Sequence, residues 1–187
     1  MRVIAGKARS VTLNTIQGMD TRPTTDRIKE TLFNMIQYDV PESDFLDLFS
    51  GSGAIGIEAL SRGAKTAVFV EKNKAAVRCI QENLKKCKLE DDATVMAVDY
   101  MSALKALERD KKRFDLIFLD PPYNHEFEKE VLIYLSKSDL IDEESTIIIE
   151  ASMETELTDV EALGFEIKKE KRYKTNKHYF VQRKEMK

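Results

Sequence analysis

The sequence feature that most constrains the fold is a set of closely spaced glycines directly after a short apolar stretch. Residues 45–49 are mainly apolar, and Gly51, Gly53 and Gly56 follow with the spacing G-x-G-x-x-G. Glycine lets the backbone turn sharply and lets a ligand approach without meeting a Cβ atom, and the helix that follows offers unpaired N–H groups. The pattern predicts a strand, a tight turn and a helix N-terminus that binds a nucleotide-like ligand, although glycines alone also fit a purely structural turn.

Further apolar runs alternate with amphipathic stretches along the chain, which predicts a mostly parallel sheet with helices on both faces. The predicted strands after residues 45–49 cover residues 66–70, 93–98, 114–119 and 145–150, and the predicted helices cover residues 54–62, 73–87, 100–109 and 126–136. Two more strands, at residues 164–171 and 177–183, are close enough to pair as an antiparallel C-terminal hairpin. We therefore expect a seven-stranded α/β fold of the Rossmann-like type.

The N-terminal segment has a different pattern from the rest. Short apolar stretches flank Gly6, which predicts a β-hairpin, and Pro23 precedes two threonines, Thr24 and Thr25, either of which can cap the next helix. A chain of 187 residues is long enough for one core. We expect one domain over residues 1–187, with residues 1–23 as an extension and residues 24–187 as the core.

The charge is unevenly distributed. Residues 1–31 carry a net charge of +3 and residues 164–187 carry +6, which leaves −12 for the middle of a chain whose total is −3. Such basic ends are either ordinary solvated surface or a surface that binds a polyanion. The candidates for phosphate contacts are Arg2, Lys7, Arg9, Arg22, Arg27 and Lys29, and more weakly Lys171, Arg172, Lys174 and Lys177.

Several function classes are disfavoured. No apolar run approaches the ~20 residues that span a bilayer, so we expect no membrane partner. Cys79 and Cys87 would lie about 12 Å apart on one helix, too far for a disulfide, which fits a reducing cytoplasm. No metal-ligand spacing is present, so we expect no metal, and His125 and His178 are predicted to be loop or surface residues.

Acidic residues lie near or directly after the carboxyl ends of four of the predicted strands, at positions 47, 71, 99 and 120. The carboxyl ends of parallel strands share one edge of a sheet, where ligands of open α/β folds bind. Glu71 follows Gly51 by 20 positions and can accept hydrogen bonds from ribose hydroxyls, which both NAD and S-adenosylmethionine (SAM) carry. Asp47 lies inside the strand, before the glycines. A carboxylate at that position fits well beside the amino group of the methionine part of SAM and poorly beside the pyrophosphate of NAD. The sequence D-x-F-x-G-x-G from Asp47 to Gly53 resembles motif I of class I SAM-dependent methyltransferases.

That resemblance implies roles for individual residues. The methionine end of SAM would lie near Asp47, Phe49, Ser50, Gly51 and Gly53. The resemblance also implies that Asp99 accepts a hydrogen bond from the adenine amine, with Tyr100 near the ring; Asp99 read on its own is equally well explained as a helix cap.

The tetrapeptide Asp120-Pro121-Pro122-Tyr123 favours SAM over NAD. It resembles motif IV of methyltransferases that act on planar amino groups. Such an amine is a weak nucleophile because its lone pair is delocalised into the ring. The Asp120 carboxylate and the Pro121 carbonyl can accept its two N–H bonds and aim the nitrogen at the methyl group, while Tyr123 offers a face for base stacking.

The N-terminal segment decides between substrates. Two stretches ahead of the glycine turn, Arg2–Lys7 and Arg22–Asn34, resemble the RsmD family. The resemblance extends over nearly the full chain, and its most specific part is R-P-T-T-D-R. The resemblance implies a monomeric cytoplasmic enzyme that methylates the N2 amine of a guanine in 16S ribosomal RNA, either naked or in the small ribosomal subunit. It also implies substrate contacts by Arg22, Thr24, Arg27 and Pro122, beside Arg2, Lys7 and Arg9.

Three other functions stay open from the sequence. An adenine-N6 DNA methyltransferase shares the D-P-P-Y motif, but no stretch is long enough for the usual target-recognition insertion. An RNA-binding assembly factor without activity would have no need of the intact motifs. An NAD oxidoreductase is least favoured, because no group suited to hydride transfer is placed near the strand ends.

Overall fold

The apolar runs form one seven-stranded sheet. The computed structural model describes residues 1–17 and 25–185. The strands are β1 (Asp44–Asp47), β2 (Thr66–Val70), β3 (Ala93–Met96), β4 (Leu116–Leu119), β5 (Thr146–Ser152), β6 (Phe165–Arg172) and β7 (Asn176–Arg183). Their spatial order is β3-β2-β1-β4-β5-β7-β6, with β7 antiparallel to both of its neighbours and the other pairs parallel. The predicted fold class, including the antiparallel C-terminal hairpin, is confirmed.

Helices connect the parallel strands and cover both faces of the sheet. They are α1 (Asp26–Met35), α2 (Ala54–Ser61), α3 (Lys74–Cys87), α4 (Tyr100–Arg109) and α5 (Phe127–Ser136), with a short 3-10 helix at Glu90–Asp92. One apolar cluster joins α1, α2 and α3 to one face, and a second joins α4 and α5 to the other. Alternate residues of β4 belong to alternate clusters, which explains why the strand sequence is apolar throughout. None of the helices in the described ranges is long and apolar enough to cross a bilayer.

Local sequence signals predict where the helices begin more accurately than where the strands begin and end. Thr25 caps α1 by accepting a hydrogen bond from the Ile28 N–H, and Asn73 caps α3 as predicted. Strands β1 and β3 end earlier than their apolar runs predict, and β4 begins later. Leu48 and Phe114 lie just outside the strands and are nevertheless buried, so apolar character extends beyond the paired residues.

The two arms of the N-terminal extension run antiparallel, as expected of a β-hairpin, but they form only an isolated bridge, between Arg2 and Thr12. The Val3 N–H donates to the Val11 carbonyl and the Leu13 N–H to the Met1 carbonyl, each at 2.9 Å. The turn between the arms packs on the end of α2: the Lys7 N–H donates to the Ser61 carbonyl at 2.8 Å, and the Ala8 N–H donates to the Ser61 hydroxyl at 2.9 Å. A Cβ on Gly6 would lie 1.8 Å from that carbonyl oxygen, so only glycine fits there.

A buried carboxylate on α2 fixes the extension to the core. Glu58 is fully buried and accepts hydrogen bonds from the N–H groups of Ile4 and Ala5 at 3.0 and 3.1 Å. It also accepts from the Arg62 Nε at 2.8 Å and lies 3.3 Å from the buried Lys29 Nζ. One side chain therefore satisfies two backbone donors and two cations.

Lys29 completes this connection and corrects a prediction. Its ammonium donates to the Arg2 carbonyl at 2.6 Å, and its side chain is fully buried, so it is not the phosphate contact that the charge pattern predicted. Burial lowers the pKa of Lys29, and the neighbouring Glu58 opposes that shift. The ion pair links α1, α2 and the extension.

Replacing Glu58 by Gln tests this link. The variant leaves the Lys29 charge buried without its counter-ion, so we expect the free energy of unfolding in urea to fall by about 3 kcal/mol. The matched control is Glu161→Gln, whose exposed carboxylate pairs with Lys184 at 3.3 Å and should change stability by less than about 0.5 kcal/mol. Equal effects of the two substitutions would contradict the role of Glu58.

Candidate active site

The predicted site residues gather at the carboxyl edge of the sheet, around the ends of β1, β2 and β4. Gly53 has a left-handed backbone with φ of +82° and stands at the start of α2 without a side-chain cap. A Cβ on Gly56 would lie 2.4 Å from the Phe69 ring, so glycine lets α2 pack directly on β2. The turn therefore presents the N-terminus of α2 at the edge where the strands end.

Glu71 connects the end of β2 to the glycine turn. Its two carboxylate oxygens accept hydrogen bonds from the Gly51 N–H at 3.0 Å and from the Asn73 N–H at 2.9 Å. A carboxylate has about four acceptor positions, so these bonds leave capacity for ribose hydroxyls. The predicted acid and the predicted turn are brought together.

Asp47 is buried at the end of β1, beneath the turn. Its carboxylate accepts a hydrogen bond from the Gly56 N–H at 3.2 Å, inside the first turn of α2. Burial raises the pKa of Asp47 to about 7, the charge of Glu71 adds to the rise, and the Gly56 hydrogen bond opposes it. Such a group responds strongly to a cation placed beside it.

Aromatic side chains line the edge between β1 and α4. The Phe49 ring lies 5.2 Å from Tyr100 and 6.1 Å from Phe127, between ring centroids, and His125 stacks on Phe127 at 5.2 Å. The Tyr100 hydroxyl donates to the Glu130 carboxylate. Phe49 and Tyr100 were predicted as cofactor contacts. The sequence analysis did not predict that Phe127 and His125 join this aromatic group, although they follow soon after the D-P-P-Y motif.

Asp99 is the N-cap of α4. One carboxylate oxygen accepts from the Ser102 N–H at 3.0 Å and the other from the Ser102 hydroxyl at 2.7 Å. These hydrogen bonds lower the pKa of Asp99, so it is ionised at neutral pH. The capping interpretation of Asp99 is thus correct, and because the side chain is exposed it can accept a further hydrogen bond.

The D-P-P-Y segment directly follows β4. Asp120 is half-buried, Pro121 is buried, and Pro122 and Tyr123 are exposed. The next residues Asn124 and Glu126 have φ angles of +67° and +53°, so two left-handed residues carry the chain into α5. The segment presents Tyr123 outward while it keeps Asp120 and Pro121 against the sheet.

Burial raises the pKa of Asp120 well above its ordinary value, and the charges of Glu150 and Asp47 raise it further. A carboxyl group with a raised pKa is a stronger proton acceptor once it is ionised. Asp120 is therefore partly accessible to solvent, and its carboxylate is more basic than that of an ordinary aspartate.

The structure corrects the position of His178. This residue is fully buried in β7, where its Nε2 lies 3.0 Å from a Glu150 carboxylate oxygen and its Nδ1 lies 3.0 Å from the Tyr173 hydroxyl. The surface assignment from the sequence was wrong because β7 pairs with β5 in the middle of the sheet. His125 is exposed, as predicted.

The predicted basic residues separate into exposed and buried groups. Arg2, Lys7, Arg9 and Arg27 are exposed, and three of them, all but Lys7, line an open cleft of about 300 Å³ between the extension and α1. Lys177, predicted as a weak phosphate contact, is buried and pairs with Glu156 at 3.1 Å. Arg22 and Thr24 lie outside the described residues. Within residues 1–17 and 25–185, no group of three or more His, Cys, Asp or Glu side chains could hold a metal ion.

Asp47→Asn tests the cost of burying a carboxylate at this site. Because burial raises the pKa of Asp47 to about 7, the wild-type protein loses stability as the pH rises from about 4 through 7. The variant carries no charge there, so we expect its Tm to exceed that of the wild type by more at pH 8 than at pH 5. The exposed Asp91→Asn is the control, and a difference in Tm that does not change with pH would contradict the assignment.

Comparison with known proteins identifies the family. The family model described as Conserved hypothetical protein 95 matches residues 1–182. A protein of Bacillus subtilis (strain 168), provisionally named rRNA methyltransferase YlbH, is 40% identical over 157 residues, which cover 84% of this chain and 85% of the relative. The Ribosomal RNA small subunit methyltransferase D of Haemophilus influenzae is 35% identical over 159 residues, which cover 84% and 81% of the two chains.

Solved structures agree with this match. A protein of Escherichia coli, provisionally titled methyltransferase yhhF, superposes with a TM-score of 0.85 at 33% identity and covers 98% of this chain and 97% of its own. A hypothetical protein of Thermus thermophilus superposes with a TM-score of 0.83 at 30% identity, with coverage of 97% and 99%. The chain therefore belongs to the family described as Conserved hypothetical protein 95, the RsmD family of Rossmann-like methyltransferases.

Proposed function

We propose that this protein transfers a methyl group from SAM to the N2 amine of a guanine in 16S ribosomal RNA. The observation that carries the proposal is the Asp120–Tyr123 segment, which lies at the same sheet edge as the glycine turn that begins at Gly51. The names of the relatives support methylation of small-subunit ribosomal RNA. The resemblance of the N-terminal stretches to the RsmD family supports the choice of guanine.

The cofactor would lie across the edge from β1 to β3. Its methionine end would meet Asp47, Ser50, Gly51 and Gly53, where the ammonium group can neutralise the buried carboxylate of Asp47. The Glu71 carboxylate would accept from the ribose hydroxyls. The adenine ring would meet Asp99 and the aromatic surface formed by Phe49 and Tyr100, because an adenine amine is a donor and its ring stacks well.

The chemistry then requires a correctly aimed nitrogen. The Asp120 carboxylate and the Pro121 carbonyl would accept the two N–H bonds of the guanine N2 and orient its nitrogen toward the methyl group. As the C–N bond forms, the electron pair of the breaking C–S bond stays on sulfur, and positive charge develops on the nitrogen. The negative charge of Asp120 stabilises that charge, and the proton leaves afterwards to Asp120 or to water.

The guanine would have to turn out of the base stack of the RNA to reach this position. Tyr123 is 36% exposed, and its ring can support a base turned out of an RNA loop, as single-stranded bases commonly stack on aromatic side chains. Pro122, also exposed, would contact the same base or its sugar. The two consecutive prolines restrict the backbone and so hold the Pro121 carbonyl in place.

The RNA backbone would meet the N-terminal extension and α1. Arg2, Arg9 and Arg27 face the open cleft described above, and Lys7 lies on the same extension. Arg22 and Thr24 belong to the segment between the extension and α1. A chain with a net charge of −3 repels RNA over much of its surface, so this basic region would also orient the RNA.

Incubation with labelled SAM tests the reaction and its substrate. Naked 16S RNA, assembled small subunits and DNA would be compared, with nucleoside analysis of the product. We expect N2-methylguanosine from one of the two RNA substrates. Methyladenine in DNA would support the alternative enzyme, and the absence of methyl transfer to all three would favour an assembly factor.

Asp120→Ala separates chemistry from cofactor binding. Loss of the carboxylate removes an acceptor and the stabilising charge, so we expect methyl transfer to fall by at least about 100-fold. The affinity for SAM, measured by calorimetry, should stay within about threefold of the wild type, a difference of about 0.6 kcal/mol. Turnover close to that of the wild type would refute the role of Asp120.

The arginines of the open cleft, which Asp26 and Glu30 also line, predict that RNA affinity falls as the salt concentration rises. Replacing Arg9 and Arg27 by Ala should weaken binding and reduce the slope of log K against log salt by up to about two, since each arginine would neutralise about one phosphate. Arg109→Ala, an exposed change on α4, is the matched control and should leave the slope unchanged. An unaltered slope in the double variant would place the RNA elsewhere.

A further inference from the structure

Three polar side chains lie side by side where β4, β5 and β7 meet the sheet edge. Leu119 pairs with Ile149 across β4 and β5, so the next residues, Asp120 and Glu150, are neighbours, and Glu150 pairs with His178 across β5 and β7. The alternation of the strands puts all three on one face of the sheet. The strand register therefore places Asp120, Glu150 and His178 in a row, although they are far apart in sequence.

Glu150 is buried, and each of its carboxylate oxygens faces a donor. The His178 Nε2 lies 3.0 Å from one oxygen, and the Asn176 Nδ2 donates to the other at 2.9 Å. These two contacts fix the position of the Glu150 carboxylate beside Asp120.

Tyr173 contacts His178 on the side of the ring away from Glu150. Its hydroxyl lies 3.0 Å from the His178 Nδ1, and burial together with the charge of Glu150 raises the pKa of Tyr173 to about 12. The imidazole ring is therefore held between the Tyr173 hydroxyl and the Glu150 carboxylate.

The orientation of the Asn176 amide also depends on Glu150. With the amide nitrogen directed at Glu150, the buried amide oxygen of Asn176 has no partner among the described residues. An unpaired buried acceptor costs about 1–3 kcal/mol. The reverse orientation would direct that oxygen at the Glu150 carboxylate, where two acceptors would face each other.

We propose that Glu150, which His178 and Asn176 hold beside Asp120, is a positioning residue whose carboxylate makes Asp120 a stronger acceptor for the protons of the substrate amine. The proposal rests on the proposed function for the identity of that amine. The charges that face Asp120 come from Glu150 on β5 and Asp47 on β1, and Glu71 faces Asp47 from β2. Glu150 acts through Asp120. Its negative charge raises the proton affinity of the Asp120 carboxylate, and a proton acceptor is most effective when its pKa is close to the working pH.

A carbon-13 NMR titration of the aspartate carboxyl carbons tests this effect without RNA. Asp120 is assigned by the signal that disappears in Asp120→Asn. In Glu150→Gln, which is nearly isosteric, we expect the titration midpoint of Asp120 to fall by about one pH unit. Glu161→Gln, an exposed change of the same kind, should leave the midpoint where it is in the wild type.

His178→Phe gives an independent measurement. The variant removes the ring that holds the Glu150 carboxylate beside Asp120, so the midpoint of Asp120 should shift downward as it does in Glu150→Gln. The double variant Glu150→Gln, His178→Phe should show no further shift, because His178 acts only through Glu150. An unchanged midpoint in folded Glu150→Gln, or additive shifts in the double variant, would overturn the proposal.

The pH profile of methyl transfer provides the functional readout. At saturating RNA and SAM, kcat should decrease at low pH as Asp120 takes up a proton. In Glu150→Gln this acidic limb of the kcat profile should move to lower pH by as much as the NMR midpoint does, while the KM for RNA stays unchanged. A loss of kcat at every pH without a shift of the limb would mean that Glu150 is only structural. If RNA is not the substrate, methyl transfer fails in the wild type as well, and the NMR titration still decides the role of Glu150.

Discussion

The alignment of the parallel strands determines where the polar side chains of this protein lie. The register of β1, β4 and β5 puts Asp47, Asp120 and Glu150 on one face of the sheet, with Asp47 and Glu150 buried and Asp120 half-buried. Their charges cannot be screened there as they would be in water. The raised pKa values of Asp47 and Asp120 follow directly from this burial.

The same arrangement connects stability to function. A sheet with apolar residues at these three positions would be more stable, since buried charges without counter-ions are unfavourable. Other contacts stabilise the protein: the pair of Glu58 and Lys29 secures the N-terminal extension, and the His178 Nε2 lies 3.0 Å from a Glu150 carboxylate oxygen. A cationic cofactor with an ammonium and a sulfonium group is the kind of ligand that such a site would favour.

Local patterns in the sequence predicted much of the fold, and long-range pairing accounts for what they missed. The glycine turn, the strand-helix alternation and the caps Thr25 and Asn73 depend on neighbouring residues. The buried position of His178 depends on β7 entering the sheet beside β5, and that of Lys29 depends on Glu58 in another helix. The predicted site acids lie together, as expected, because the carboxyl ends of parallel strands share one edge of the sheet. The position of Glu150 beside Asp120 could not be predicted in this way, because it depends on the register between β4 and β5.

In the proposed function, the donated methyl group and the substrate amine meet beside Asp120. A crystal structure of the protein with S-adenosylhomocysteine and guanosine tests this placement most directly. We expect the homocysteine end at Gly51, the adenine between Asp99 and Tyr100, and the guanosine amine within hydrogen-bond distance of Asp120, with its base against Tyr123. Binding of the cofactor product away from the glycine turn, or of guanosine out of reach of Asp120, would contradict it.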